Sequence, residues 1–303
     1  MDKNTKMLCE RLPEYMQEKI YSLPEYIISC FEEIRISTYQ DTLIIYNNTE
    51  ISLNDGSHVK PDLLEEILDR LLDYSYYAYE EELSKGYMTI KGGHRVGICG
   101  RVTLKEGDVY LIKDISSLNI RRSRELIGIS GKVLDLISDI KTGNISNTLI
   151  ISPPKCGKTT LIRDIARSLS YQGFRVGICD ERSEIAGCFD GIPSYDLGPR
   201  TDILDCCPKA KGMIMLIRSM SPDVIITDEI GRPEDVYAIE ESLNAGVKII
   251  TTIHGRTYED VVFSSVGKLI KNNTFDNLLF LTSTPSTGTV SRIMKLNNNR
   301  EGI

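Results

Sequence analysis

A short stretch near the middle of the chain has the residue types and spacing that bind phosphate. Residues 152–160 read SPPKCGKTT, between an apolar run, TLIIS, and a run of helical apolar spacing, LIRDIARSLS. This is the strand–loop–helix context of a phosphate-binding loop. Backbone N–H groups and the dipole at a helix start favour an anion there. We therefore predict that Lys158 reaches the β- and γ-phosphates of ATP and that the Thr159 hydroxyl ligates Mg²⁺.

The beginning of this loop departs from the usual pattern, which has a glycine where this chain has Ser152. Pro153 and Pro154 have no N–H to donate to phosphate, so the donor amides begin at Lys155. The serine therefore affects how the loop leaves its strand more than how it binds the ligand. The residues predicted to bind the nucleotide are Pro154, Lys155, Cys156, Gly157, Lys158, Thr159 and Thr160.

Two adjacent acids follow another apolar run, DVIITDE (223–229). The carboxyl end of a parallel strand lies at the sheet edge where the phosphate loop also lies. Asp228 is predicted to hold Mg²⁺ through water. Glu229 is predicted to orient and deprotonate the attacking water, which makes the site hydrolytic. Two solvated acids ending a strand are the alternative.

Further polar residues follow neighbouring strands. In TTIHG (251–255), either Thr252 or His254 is a candidate sensor of the γ-phosphate. For His254, a purely structural role is an equally strong alternative. In DERSE (180–184), the acids are candidates for placing metal or water, or they form a solvated turn.

Phosphoryl transfer also needs positive charge on the γ-phosphate besides Lys158 and Mg²⁺. Arginine suits this role because its planar fork is always charged. The candidates are Arg200 and Arg218 and, from the first part of the chain, Arg95, Arg101, Arg121 and Arg122. For each of these arginines taken singly, a place on the surface or in an ion pair is a stronger interpretation than contact with the γ-phosphate.

The spacing of apolar residues along the chain changes near residue 124. Residues 1–124 mix short β-branched runs with one helical stripe at 61–74, which predicts a small α+β domain with hairpins. Residues 125–303 alternate continuous apolar runs with helical stretches, which predicts an α/β domain with a mainly parallel sheet. The predicted strands of this second domain are 148–152, 175–180, 223–228, 248–253 and 278–283.

Bulk composition excludes several classes of protein. The 303-residue chain has a net charge of −7, which argues against a protein that coats nucleic acid. No apolar run is long enough to span a membrane, and the first residues do not form a secretory signal, so we expect a cytoplasmic protein. The eight cysteines include no C-x-x-C pair, so we expect buried thiols rather than a zinc site.

Several of these motifs together resemble a known family. The stretch LIRSMSPDVIITDEIGRPED followed by IITTIHG is similar to the ATPases of type II and type IV secretion and pili, except that Asp228 replaces their usual glycine. Nearly the whole chain resembles the stage III sporulation protein AA family of endospore-forming bacteria. The matching stretches are 33–37, 89–102, 117–125, the loop at 152–160, 180–187, 197–213 and 221–231.

The resemblance implies a RecA-like ATPase domain behind a small N-terminal domain, assembled as a hexameric ring with nucleotide between the domains. It also implies docking on a membrane-embedded component of the channel that joins mother cell and forespore, with no membrane span of its own. Two alternatives stay open: a nucleic-acid-stimulated RecA-like NTPase, and a nucleotide-switched docking module with little turnover. Stimulation by DNA or RNA would favour the first, and steady-state hydrolysis would exclude the second.

Overall fold

The computed structural model describes residues 3–53 and 58–296. The chain divides into two compact units. The first contains the described residues up to Arg124 together with Gly187–Ser194, and the second contains Glu125–Ala186 and the described residues from Tyr195 onward. The sequence assigned 187–194 to the second domain. This segment instead belongs to the first unit, where the Phe189 ring lies 6.4 Å from the Tyr79 ring, centroid to centroid.

The first unit is built on an antiparallel sheet of six strands in the order β3-β2-β1-β6-β5-β4. In β1, Phe31, Ile34 and Ile36 are buried while Glu32 and Arg35 are exposed, as expected for a sheet with one covered face. The strands are β1 (Phe31–Ser37), β2 (Leu43–Tyr46), β3 (Thr49–Ser52), β4 (Tyr87–Ile90), β5 (His94–Lys105) and β6 (Asp108–Arg121).

The predicted helical stripe of this unit forms α4, which ends three residues earlier than the pattern does. The apolar residues on one face of α4 are buried in the unit's core; they are Leu64, Ile67, Leu68 and Leu71. Asp73 and Tyr74 take positive φ angles, so the helix stops before them. The helices are α1 (Lys3–Cys9), α2 (Glu14–Tyr21), α3 (Glu25–Cys30), α4 (Pro61–Leu71) and α5 (Glu80–Ser84).

The second unit is an α/β structure around a seven-stranded sheet in the order β11-β10-β12-β13-β9-β14-β15. All neighbours are parallel except β14 and β15. A two-stranded ribbon, β7 and β8, stands apart from it. The strands are β7 (Ser138–Asp139), β8 (Asn144–Ile145), β9 (Thr148–Ser152), β10 (Val176–Asp180), β11 (Thr201–Asp205), β12 (Val224–Thr227), β13 (Lys248–His254), β14 (Asn277–Thr282) and β15 (Thr289–Lys295).

Helices of the second unit precede β10, β12, β13 and β14, whereas the connection from β10 to β11 contains no helix. α7, which follows the phosphate loop, buries Leu161, Ile162 and Ile165. None of the helices among the described residues is long and apolar enough to cross a bilayer. The helices are α6 (Gly131–Ile137), α7 (Lys158–Tyr171), α8 (Lys209–Met220), α9 (Pro233–Asn244), α10 (Tyr258–Val262) and α11 (Gly267–Lys271).

The parallel order brings the ends of separate strands together. Strands β10, β12, β13 and β9 are consecutive neighbours, so the residues that follow them lie side by side at the carboxyl edge. The polar residues predicted from the sequence occur at this edge: Ser152 ends β9, Asp180 ends β10, Asp228 follows β12 and His254 ends β13.

Candidate nucleotide site

The predicted phosphate loop leaves β9 and turns directly into α7. Gly157 has φ +83° and Lys155 has φ +60°, and these left-handed residues reverse the chain before the helix begins at Lys158. The turn between β14 and β15 lies against the loop, where Gly288 N–H donates to the Cys156 carbonyl at 3.1 Å. This contact fixes the loop where α7 begins, and a helix start favours an anion because its first amides have no partner within the helix.

Ser152, the departure from the usual loop pattern, is fully buried at the end of β9. Its hydroxyl donates to the Pro153 carbonyl at 2.7 Å, and its own carbonyl accepts from Gly255 N–H. In this chain the serine therefore fixes the first peptide of the loop. A glycine could make only the second of these contacts.

Lys158, Glu229 and His254 form one cluster. The Lys158 ammonium lies 3.3 Å from the Pro153 carbonyl oxygen, 3.3 Å from His254 Nδ1 and 3.6 Å from Glu229 Oε1. Glu229 Oε1 lies 2.9 Å from His254 Nε2. Lys158 is only 6% exposed, whereas the side chains of Glu229 and His254 are about one third and one half exposed. The predicted phosphate ligand, base and sensor thus meet at one place.

Asp228 lies deeper at the same edge. Burial raises the pKa of its carboxyl group, and the nearby Lys209 ammonium, 3.6 Å from Oδ1, opposes that rise. Oδ1 is buried and has no hydrogen-bond partner among the described residues.

A buried carboxylate oxygen without a hydrogen-bond partner costs free energy. The Lys209 ammonium at 3.6 Å offsets part of that cost, and a metal-bound water would offset more of it. Asp228 and the half-buried Thr159 at the start of α7 supply the oxygen ligands that Mg²⁺ prefers, so these residues fit the ion. The described residues contain no cluster of three or more His, Cys, Asp or Glu that could hold a metal alone. The rest of the coordination shell would therefore come from phosphate oxygens and water.

The other polar candidates at this edge have structural contacts. The Thr252 hydroxyl accepts the Glu229 N–H at 2.9 Å, so Thr252 supports the acid's backbone. The Asp180 carboxylate accepts N–H bonds from Glu184, Ile185 and Ala186, and burial raises its pKa to about 7. Asp180 therefore organises the turn after β10.

The Glu181 carboxylate lies 3.3 Å from the ammonium group of Lys209. Lys209 was not among the candidate site residues predicted from the sequence. The only sequence signal for Lys209 is its place in CCPKAK, at the start of a helix. Glu184 contributes backbone to this edge, since its N–H donates to Asp180 and its carbonyl accepts from Arg163.

The two candidate arginines of the second unit lie far from the loop of their own chain. Arg200 precedes β11, and its N–H donates to Ser170 near the far end of α7, about 18 Å along the helix from Lys158. Arg218 is in the last turn of α8, which leads to the start of β12. Both are exposed at the amino edge of the sheet. This placement does not support contact between either arginine and a nucleotide bound at the loop of the same chain.

The four candidate arginines of the first unit each have a partner within that unit. Arg95 stacks on Tyr87, Arg101 pairs with Asp114, and Arg121 lies near Glu33. Arg122 donates to the Ile28 and Phe31 carbonyls.

Comparison with known proteins identifies the family. The sequence model of the family described as "Sporulation stage III, protein AA" matches residues 5–301 of this chain. The chain is also 44% identical to stage III sporulation protein AA of Bacillus subtilis (strain 168) over 299 residues, covering 96% of this chain and 95% of that protein. The chain belongs to the stage III sporulation protein AA family. The resemblance drawn from the motifs is thereby confirmed.

Solved structures show the fold. The ATPase DotB of Yersinia pseudotuberculosis matches with a TM-score of 0.59 at 15% identity, covering 89% of this chain and 76% of that one. The pilus retraction motor PilT, solved with bound ADP, matches with a TM-score of 0.57 at 14% identity, covering 84% and 76%. This family member therefore has the fold of the secretion and pilus ATPases.

Proposed function

We propose that this family member is a Mg²⁺-dependent ATPase whose hydrolytic site lies at the carboxyl edge of the second unit's sheet. The observation that carries the proposal is the 3.6 Å approach of the Lys158 ammonium to the Glu229 carboxylate, beside the loop that begins α7. A phosphate-binding cation and an acid able to activate water are the two groups that hydrolysis of a bound nucleotide requires.

ATP would bind with its phosphates over the amides from Lys155 to Thr160. The Lys158 ammonium would exchange the Pro153 carbonyl, His254 and Glu229 for the β- and γ-phosphate oxygens. Glu229 would then be released from the lysine and accept the proton of the water that attacks the γ-phosphorus, with ADP as the leaving group. His254, already 2.9 Å from Glu229, would hold that carboxylate or contact the γ-phosphate.

Thr159 and Asp228 are the residues that would hold Mg²⁺, Thr159 directly and Asp228 through water. The ion supplies charge neutralisation at the β- and γ-phosphate oxygens. The buried Asp228 Oδ1, which has no hydrogen-bond partner among the described residues, would accept from such a metal-bound water.

At the level of the cell, we propose a motor that energises or gates the channel between mother cell and forespore, acting as a hexameric ring in the cytoplasm. Membership of the sporulation family and the fold of secretion ATPases support this role. In a ring, Arg200 or Arg218 at the amino edge of one chain's sheet could reach the nucleotide of the neighbouring chain. We propose this trans role for them, together with docking on a membrane-embedded channel component.

Hydrolysis by the purified full chain tests the proposal directly. With Mg²⁺ the wild type should turn over ATP, and chelation of the metal should stop it. Lys158→Ala should lower the rate by about a hundredfold or more, because it removes the cation that stabilises the transferred phosphoryl group. The control Lys132→Ala removes an exposed lysine of α6 and should leave the rate unchanged. A Lys158→Ala protein with wild-type turnover would contradict the proposal.

A further inference from the structure

A second lysine, Lys209, lies among the acids at the carboxyl edge of the second unit. It is the first residue of α8, and its side chain is only 11% exposed. Its ammonium donates to the Glu229 carbonyl oxygen at 3.0 Å. The same nitrogen lies 3.3 Å from Glu181 Oε2 and 3.6 Å from Asp228 Oδ1. One cation thus contacts residues that follow two different strands, β10 and β12.

The backbone that Lys209 holds is unusual. Glu229 has φ +29°, outside the regions that a residue with a side chain ordinarily adopts. Such a conformation persists only when its surroundings fix it. Three contacts do so here: Glu229 N–H to Thr252 Oγ1 at 2.9 Å, Ile230 N–H to the Thr252 carbonyl at 2.9 Å, and Lys209 to the Glu229 carbonyl. Two come from β13 and the third comes from α8.

The two lysines of the site hold opposite ends of Glu229. Lys158 lies by its carboxylate, whereas Lys209 binds its carbonyl. The direction in which a side chain leaves the backbone depends on the backbone's own orientation. Without Lys209, the Glu229 carbonyl would lose a charged donor, and Asp228 and Glu181 would lose a shared counter-charge.

We propose that Lys209 is a positioning residue of the hydrolytic site: it fixes the strained Glu229 peptide and so aims the Glu229 carboxylate. This inference rests on the proposed ATPase function. Lys209 acts through Glu229 and contributes to water activation rather than to nucleotide affinity. A displacement of an activating group by about 1 Å can cost about a hundredfold in rate.

The kinetic test compares Lys209→Met, which keeps an unbranched stem but removes the charged end, with Lys209→Arg, which keeps charge. Lys211→Met is the matched control, since Lys211 is exposed two residues further along α8. Lys209→Met should lower kcat by about a hundredfold while ATP affinity changes only a few-fold. Lys209→Arg should recover part of kcat, and Lys211→Met should behave as the wild type. Wild-type kcat in Lys209→Met would overturn the proposal, as would equal losses of ATP affinity and turnover.

A second measurement does not depend on turnover. The chain has three histidines, so the imidazole nitrogen NMR spectrum is simple, and His254→Gln identifies the His254 signals. Because His254 Nε2 lies 2.9 Å from Glu229 Oε1, these signals report where the Glu229 carboxylate lies. Lys209→Met should shift the His254 signals in the same direction as Glu229→Gln, and Lys211→Met should not.

The two measurements separate the failure of this inference from failure of the ATPase proposal. If the wild type does not hydrolyse ATP, the ATPase proposal fails and the His254 spectrum alone decides the role of Lys209. A shift in Lys209→Met then supports positioning, and an unchanged His254 spectrum overturns it.

Discussion

The Pro153 carbonyl links the unusual start of the predicted phosphate loop to Lys158, the lysine proposed to bind phosphate. It accepts from the Ser152 hydroxyl at 2.7 Å and from the Lys158 ammonium at 3.3 Å. Ser152 therefore helps to hold the oxygen that the Lys158 ammonium would leave in the proposed mechanism. The serine shapes the loop without contributing any group to the ligand.

Ser152→Gly is expected to change ATP affinity by less than about tenfold, because one intramolecular hydrogen bond contributes about 0.5–1.5 kcal/mol. Titration of the purified variant with ATP measures the effect, and hydrolysis should persist. Should glycine instead switch on activity in an otherwise inactive protein, our interpretation of the loop would be wrong.

The residues at the site were predictable to different extents, for physical reasons. Asp228, Glu229 and His254 lie at or just after the ends of strands, and Lys158 begins the helix after the loop that follows β9. Parallel strands bring such positions to one edge. Lys209 lacks any local pattern, because its function depends on contacts with Glu181 and Glu229, about twenty or more residues away in the sequence.

Helix α8 is the element that places Lys209, and its packing depends on one glycine. Gly212 lies against β10, where an added Cβ would overlap the Cys179 sulfur and approach the Cys207 sulfur to 3.3 Å. The absence of a side chain lets the first turn of α8 approach the sheet closely.

Gly212→Ala is therefore expected to destabilise the protein by about 1–3 kcal/mol, the usual cost of overpacking a core. This would occur although alanine favours helix over glycine by about 1 kcal/mol. Denaturant unfolding measures the change. Gly131→Ala in α6 is the matched control, because nothing lies within 4 Å of its added Cβ. Equal stability of Gly212→Ala and the wild type would contradict this view of the α8 contact.

Elements were predictable wherever burial leaves a clear pattern. Strands β9 and β12 consist of buried residues, and their runs were recognised to within one residue at each end. β11 (Thr201–Asp205) was missed because its residues are all half-buried and it carries acids at the second and last positions. The inclusion of Gly187–Ser194 in the first unit depends on contacts distant in the sequence, which no local pattern reveals.

At the scale of the whole molecule, a role for Arg200 or Arg218 at the nucleotide requires more than one chain. Arg200 and Arg218 lie at the amino edge of the sheet, so a nucleotide at the carboxyl edge would need a neighbour to supply either arginine. The ring expected from the family resemblance would provide that neighbour.

Light scattering of Glu229→Gln with Mg²⁺ and ATP is expected to give the mass of six chains, and a smaller mass without nucleotide. ATP would stabilise the ring if each nucleotide contacts two chains, because a ligand favours the state that binds it better. A monomer at saturating ATP would rule out both the ring and the trans arginine.

The most direct test of the central claim is the fate of ATP on the Glu229→Gln protein. Glutamine keeps the size of Glu229 but cannot accept the proton of the attacking water. We predict that this variant binds ATP with an affinity close to that of the wild type and retains it unhydrolysed, while the wild type releases ADP and phosphate. Turnover by Glu229→Gln at the wild-type rate would contradict the assignment of Glu229 as the base.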